Sequence, residues 1–95
     1  VEDSILTYIY EIVARTRATA GIEVGASPRG GIALLLLARA LAAVRGREFV
    51  IPDDVKDACL PALRHRIILE SSAELEGSTA DEFVNLVLGQ VTVPR

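Results

Sequence analysis

The chain has 95 residues, about half of them apolar, with 10 Lys and Arg, 13 Asp and Glu and a formal net charge of −3. This length allows one small core, and the acidic balance argues against a nucleic-acid module, which usually carries a basic field. Cys59 stands alone, which excludes an internal disulfide and a cysteine-based metal site, and no apolar run reaches the roughly 18 residues that span a bilayer.

The many Ala and Leu residues and the four aromatic residues are typical of a helical bundle. We therefore expect an all-α fold, a small four-helix bundle with one or two very short extended pieces, formed by residues 1–95 as a single domain. Because the sequence has no methionine, even at position 1, we expect a processed chain or a piece cut from a longer protein. The single cysteine and the lack of a membrane-spanning run or signal-peptide pattern favour a soluble, reducing, cytoplasmic setting.

Residues 3–17 are predicted to form the first helix, with Asp3 as its cap. Its apolar residues recur at helical spacing: Ile5, Leu6, Ile9, Ile12 and Val13. For Tyr8 and Tyr10 we favour partial packing on the bundle over stacking on a partner. Residues 19–25 form a connection, in which Ile22-Glu23-Val24 is a short alternating stretch between glycines.

The central helix is predicted over residues 28–45, since Ser27 suits the N-cap, Pro28 suits the first turn and Gly46 offers a stop. Its main core stripe is predicted to be Leu34, Leu37, Leu41 and Val44, flanked by Ala33 and Ala38. A second face carries Arg29, Ile32, Leu36, Arg39 and Ala43. This face is either covered by the rest of the domain or left for a partner.

The first turn of this helix contains three locally unfavourable residues. Arg29 places a cation at the positive end of the helix dipole, and Gly30 and Gly31 are poor helix formers. A bound anion would explain them, because it would meet the free N–H groups, the dipole and the guanidinium together. The alternative is a solvated arginine beside glycines that allow close packing, and the residues alone leave both readings open.

The second half of the chain is predicted to contain two more helices. Glu48-Phe49-Val50 is a candidate minimal strand, Pro52 opens the third helix, and Pro61 should kink or restart it. Thr79-Ala80-Asp81-Glu82 is a capping box that starts the fourth helix, which should end at Pro94. The intervening residues are expected to be a strand or frayed helix end at Ile67-Ile68-Leu69 and a polar, acidic loop over residues 70–77.

Two further polar features have modest explanations. Arg45 and Arg47 are best interpreted as cations that complement the C-terminal dipole of the central helix, although a local nucleic-acid patch is an alternative. His65 is expected to be a surface or capping residue rather than a base or metal ligand, because no second metal-type residue lies near it in a sensible pattern.

Several motifs, taken together, resemble the C-terminal lid of MoxR-type AAA+ ATPases. They are Gly25-Ala26-Ser27-Pro28-Arg29, Arg45-Gly46-Arg47-Glu48-Phe49-Val50, Pro52-Asp53-Asp54-Val55, His65-Arg66-Ile67-Ile68-Leu69 and Val91-Thr92-Val93-Pro94. The resemblance covers nearly the whole chain and departs from the family pattern at Ile51, where a threonine is common. It implies that Arg29 is the sensor-2 arginine, which reaches the terminal phosphates of the nucleotide.

The same resemblance implies a larger machine. Its members typically assemble as rings of about six subunits, use ATP and Mg²⁺, and remodel other proteins, often ones with a von Willebrand A domain. The partners implied are the ATPase core of the same chain and neighbouring subunits, and we expect Ile32, Leu36 and Arg39 to face that core. ATP is not expected to bind the 95 residues tightly.

The sequence carries no catalytic set of its own. It has no phosphate-binding Gly-x-x-x-x-Gly-Lys loop, and its single lysine, Lys56, lies in the third predicted helix. By itself the chain should hydrolyse nothing and hold no metal. The alternative function is a free-standing helical adaptor that binds a protein through Arg29, Ile32, Leu36 and Arg39; a helical DNA-binding module is disfavoured by the charge.

Overall fold

A computed structural model describes residues 2–94 as five α-helices and a two-stranded antiparallel sheet. In chain order the elements are α1 (Asp3–Thr16), β1 (Ile22–Val24), α2 (Pro28–Val44), α3 (Pro52–Leu63), β2 (Ile68–Leu69), α4 (Ser71–Leu75) and α5 (Ala80–Gln90). The predicted helical class is confirmed, and the four predicted helices correspond to α1, α2, α3 and α5. No helix within residues 2–94 is long and apolar enough to cross a membrane.

The central helix, α2, packs against both α1 and α3. Its fully buried residues recur every four positions: Gly30, Leu34, Ala38 and Ala42. The predicted stripe was therefore wrong at Val44, which is 85% exposed, and only half right at Leu37 and Leu41, which are partly buried. Side-chain size misled the prediction, because small alanines let a neighbouring helix approach closely and so mark the buried side.

The sheet joins the two halves of the chain. Ile22 pairs with Leu69, and Val24 pairs with Ile68. This pairing resolves residues 67–69, since Ile68–Leu69 is a strand rather than a helix end. The strand predicted at Glu48-Phe49-Val50 was wrong: this stretch is a bend, and among residues 2–94 no strand pairs with it. A stretch of three residues with no pairing edge gains no ladder hydrogen bonds.

The predicted acidic loop over residues 70–77 was also wrong in part, because it contains α4. This helix buries only Ala73, so its sequence shows little apolar periodicity. α4 ends at Leu75; Gly77, two residues later, has a φ of 87°, and the Ser78 N–H donates to the Ala73 carbonyl over 3.1 Å. Gly46, with a φ of 79°, ends α2 in the same way and confirms the predicted stop.

The helix ends were predicted with mixed success. The capping box is confirmed, since the Glu82 N–H donates to Thr79 Oγ1 and the Thr79 N–H donates to Glu82 Oε1. Asp3 is not the cap of α1, because Glu2 holds that position without a side-chain hydrogen bond. α3 continues through Pro61 without restarting. α5 ends at Gln90, well before Pro94, because Val91 already has an extended backbone.

Candidate functional site

The start of α2 has the backbone of a helix N-terminus but lacks a side-chain cap. Ser27 is extended, with φ −83° and ψ 174°, as an N-cap residue should be. Within residues 2–94, however, its hydroxyl makes no capping hydrogen bond, and the Gly30 N–H donates to the Ser27 carbonyl over 2.8 Å. The predicted cap is therefore correct in position and wrong in chemistry. The amide of Arg29 faces the open end of the helix, where an N–H group has no intrahelical partner.

The segment that leads into α2 is held by the end of α1. The Ala26 N–H donates to Thr16 Oγ1 over 2.9 Å, and Arg17 Nε donates to the Ala26 carbonyl over 3.1 Å. Both backbone polar groups of Ala26 are thus hydrogen-bonded, one to the last residue of α1 and the other to the residue that follows it. Ala26 and Thr16 are fully buried, so these contacts fix the path of the chain three residues before Arg29.

Close packing requires glycine at position 25 and disfavours a side chain at position 30. A Cβ atom on Gly25 would lie 2.8 Å from the Arg17 backbone nitrogen, and one on Gly30 would lie 3.0 Å from the Ala26 Cβ. Gly31 is less constrained, since its added Cβ would make an ordinary 3.5 Å contact with Val13. Packing therefore explains Gly30, one of the three unfavourable residues noted in the sequence.

Packing does not explain Arg29. Its side chain is exposed, and it forms no ion pair or hydrogen bond with any residue from 2 to 94. The positive end of the α2 dipole lies beside it, so the local electrostatic cost predicted from the sequence is not offset by a carboxylate in this part of the chain. The arrangement presents a guanidinium and a helix N-terminus to the same solvent region.

The second face of α2 is left uncovered. Ile32 is 59% exposed, Leu36 is 57% exposed, and Arg39 is exposed as well. A groove of about 380 Å³ lies between α1 and α2, with mainly apolar residues in its lining; Leu6, Tyr10, Pro28 and Ile32 are among them. Of the two tyrosines predicted to pack partly, Tyr8 is fully buried and Tyr10 is 72% exposed at this groove.

At the other end of α2, two arginines meet a buried carboxylate. Arg45 Nη1 donates to Asp54 Oδ1 over 2.9 Å, Arg47 also donates to Asp54, and Arg45 Nη2 donates to Asp57 over 2.8 Å. Both sequence interpretations of Arg45 and Arg47 were therefore incomplete, because these residues form ion pairs that tie the end of α2 to the start of α3. Spacing along the chain did not reveal this cluster, since the partners lie across a turn.

Asp54 also caps α3. Its side chain accepts the Ile51 N–H over 3.0 Å, a capping contact that compensates for the absence of a polar side chain at Ile51. Burial alone would raise the pKa of Asp54, but the hydrogen bonds from Arg47, the Ile51 N–H and Arg45 outweigh it and hold the pKa below its usual value. Asp54 is thus ionised and structural.

The remaining reactive side chains do not form a site. Cys59 is fully buried, as predicted, and burial raises its pKa to about 12. His65 is exposed, as expected of a surface residue. Across residues 2–94, no three His, Cys, Asp or Glu residues lie together in a way that suits a metal ion. The start of α2 is therefore the strongest candidate site.

Comparison with known proteins identifies this architecture. The family model described as AAA lid domain matches residues 14–86. The chain belongs to the AAA lid domain family. The uncharacterized protein YeaC of Bacillus subtilis (strain 168) is 42% identical over 93 residues, and Chaperone MoxR1 of Mycobacterium tuberculosis is 33% identical over 104 residues. These alignments cover 98% and 100% of this lid domain, but only 29% and 28% of the two relatives.

A solved structure agrees with the sequence comparison. A crystal structure of a candidate ATPase from Cytophaga hutchinsonii superimposes with a TM-score of 0.89 at 33% identity, covering 99% of this chain and 31% of that one. The resemblance to the lid of MoxR-type AAA+ ATPases is thereby confirmed. The lid domain spans less than a third of the relatives that it matches.

Proposed function

We propose that this lid closes over ATP bound by the core domain of a MoxR-type AAA+ ATPase and presents Arg29 to the terminal phosphates. One observation carries the proposal: Arg29 is an exposed cation without an ion-pair partner in residues 2–94, at a helix N-terminus whose cap residue makes no side-chain bond. A phosphate would meet the guanidinium fork and the free end of the dipole together.

The uncovered face of α2 indicates which side of the lid would turn toward the core domain. Ile32 lies one turn after Arg29 on the same side of the helix, and Leu36 and Arg39 continue that side. An arginine that points at the nucleotide brings this side toward the core domain. Ile32, Leu36 and Arg39 are then the contact surface, and the exposed apolar area is covered in the assembled protein.

The wider role follows the family. The full-length protein would bind ATP and Mg²⁺ through its core, assemble as a ring of about six subunits in the cytoplasm, and remodel client proteins, including ones with a von Willebrand A domain. The lid would contribute no catalytic base and no metal ligand. Its task would be to convert the nucleotide state into a movement relative to the core.

Substitution of Arg29 tests the proposal by separating folding from activity. In the 95-residue domain, Arg29→Ala should leave the melting temperature unchanged or slightly raised, because a cation leaves the positive end of a helix. In the full-length ATPase, the same change should lower the rate of hydrolysis by roughly tenfold to a thousandfold, the range for losing one charge-stabilising donor. Arg29→Lys should restore only part of the rate, since an ammonium lacks the bidentate fork.

Arg15→Ala is the matched control, because Arg15 is also exposed and without an ion pair in the described chain but lies on α1. It should leave hydrolysis unchanged. If Arg29→Ala unfolds the isolated domain, or if it reduces hydrolysis no more than Arg15→Ala does, the sensing role is wrong.

A further inference from the structure

We infer that Thr16 and Arg17 are positioning residues that hold Arg29 in place for its encounter with the nucleotide. This inference rests on the proposed function. Neither residue belongs to the Gly25–Arg29 motif, and neither is required to touch the nucleotide. They act through the backbone of Ala26, which they bind from the end of α1.

The Thr16 hydroxyl donates one hydrogen bond and accepts another. Oγ1 donates to the Val13 carbonyl over 2.6 Å and accepts the Ala26 N–H over 2.9 Å, and the side chain is completely buried. Because its single proton is directed at the Val13 carbonyl, a lone pair is free to accept the Ala26 N–H, and the two bonds together orient the hydroxyl. Arg17 adds a second bond to the same residue, so Ala26 cannot shift without breaking contacts on both sides of its backbone.

Ser27 and Pro28 connect Ala26 to Arg29, and among residues 2–94 no hydrogen bond ties them to α1; the bond from the Gly30 N–H to the Ser27 carbonyl stays within the start of α2. The Ser27 hydroxyl makes no capping bond, and Pro28 has no N–H to donate. The hydrogen bonds at Ala26 are therefore the polar anchor that sets where α2 begins and where the Arg29 side chain leaves the backbone. A displacement of about 1 Å at a reacting group can lower a rate by about a hundredfold. A small shift of Ala26 should therefore lower the rate of ATP hydrolysis.

Thr19 offers a close control. It is 8% exposed, lies near the same end of α1, and its Oγ1 donates to the Arg15 carbonyl over 2.7 Å. Thr16 and Thr19 thus both bond a carbonyl of α1, but only Thr16 also accepts an N–H from the segment that carries Arg29. A valine at either position keeps the shape and removes the hydroxyl.

The test is a double-mutant cycle in the full-length ATPase. Thr16→Val, Thr16→Ser and Thr19→Val are each made with Arg29 intact and with Arg29→Ala, and kcat, KM and the melting temperature are measured where all variants are folded. Thr16→Val should lower kcat by roughly threefold to thirtyfold when Arg29 is present. In the Arg29→Ala background it should have no further effect, because residues that act as a unit are not additive.

The controls define the result that would overturn the inference. Thr16→Ser should retain most of the rate, and Thr19→Val should leave kcat unchanged. If Thr16→Val leaves kcat unchanged, or lowers it by the same factor with and without Arg29, Thr16 has only a structural role. Should Thr16→Val fail to fold, Arg17→Met carries the test by the same criterion, because Arg17 is exposed and its aliphatic stem is retained.

The single Arg29→Ala variant distinguishes failure of the inference from failure of the proposed function. If it has no effect on hydrolysis, the proposed function fails and the inference falls with it. If Arg29→Ala is strongly defective but Thr16→Val and Arg29→Ala are additive, the sensing role stands and only the positioning role is wrong.

Discussion

Gly25 occupies a position where no side chain fits. An added Cβ would lie 2.8 Å from the backbone nitrogen of Arg17 and 2.8 Å from the carbonyl carbon of Thr16. Backbone atoms at the end of a helix cannot move away as a flexible side chain can. The glycine of the Gly-Ala-Ser-Pro-Arg motif therefore serves the contact between α1 and the segment before α2, and no ligand is needed to explain it.

Gly25→Ala should consequently destabilise the domain, whereas Gly89→Ala should stabilise it. The first change forces the segment away from α1, at about 1–3 kcal/mol for overpacking. Gly89 lies in α5 with nothing within 4 Å of an added Cβ, so alanine there should contribute about 0.5–1 kcal/mol through helix propensity. Urea unfolding of both variants measures the two changes in the free energy of unfolding. If Gly25→Ala did not destabilise the domain, Gly25 would not be in close contact with the end of α1.

Between elements, Asp54 is the principal polar connection. It is fully buried, caps the first turn of α3 and accepts hydrogen bonds from Arg45 and Arg47 at the end of α2. A buried carboxylate with several donors is held in its ionised form. The turn between α2 and α3 is therefore ordered by charge as well as by packing.

This connection makes stability depend on acid pH. Since the folded-state pKa of Asp54 is lowered, its contribution is present above the unfolded pKa of about 3.9 and is lost as the pH falls through the lower folded value. Asp54→Asn should lower the free energy of unfolding by about 1–3 kcal/mol near neutral pH and reduce the loss of stability below about pH 4. Denaturant unfolding from pH 7 to pH 2 measures both effects.

Asp57→Asn is the matched comparison, because Asp57 is 55% exposed and pairs only with Arg45 among the described residues. It should change stability by less than about 0.5 kcal/mol. If Asp54→Asn and Asp57→Asn lowered the free energy of unfolding equally, burial of Asp54 would not strengthen its ion pairs with Arg45 and Arg47.

The sequence predicted those elements whose signals are local. The stripe of α1, the proline at the start of α2 and the capping box of α5 each lie within a few adjacent residues. The missed features depend on the tertiary structure. α4 buries a single alanine, so it has almost no apolar pattern, and the buried side of α2 is marked by small residues that a reading by side-chain size overlooks.

Of the residues at the candidate site, some could be predicted from local sequence and others could not. Arg29 could be singled out from its unfavourable position in the helix, because that cost is a local property. Thr16 could not, since its role depends on a contact ten residues along the chain with Ala26. A threonine at the end of a helix has no pattern that distinguishes a back-bond to its own helix from a bond to another segment.

At the scale of the whole molecule, the proposed function gives the lid only one side of a nucleotide site. One arginine and one helix N-terminus offer a contact for phosphate, but no cluster among the described residues suits a metal ion, and the contacts to base and ribose would come from the core domain. The 95-residue domain should therefore fold cooperatively yet bind ATP very weakly. Circular dichroism melting should show a helical two-state transition, and an NMR titration with ATP should not saturate below about 1 mM; micromolar affinity would contradict this division of labour.

The pairing of β1 with β2 brings together two strands that are far apart in sequence, since Ile22 pairs with Leu69. The loop of chain that this pairing closes contains α2 and α3. Closing so long a loop costs chain entropy before any contact of the sheet is gained, which favours late formation of this pairing during folding. Ile22→Ala should then accelerate unfolding while changing the folding rate little, whereas Leu34→Ala in the α2 core should slow folding. Stopped-flow kinetics would show this contrast. Because β1 leads directly into the segment that carries Arg29, the arginine would reach its native position only after the helices have assembled.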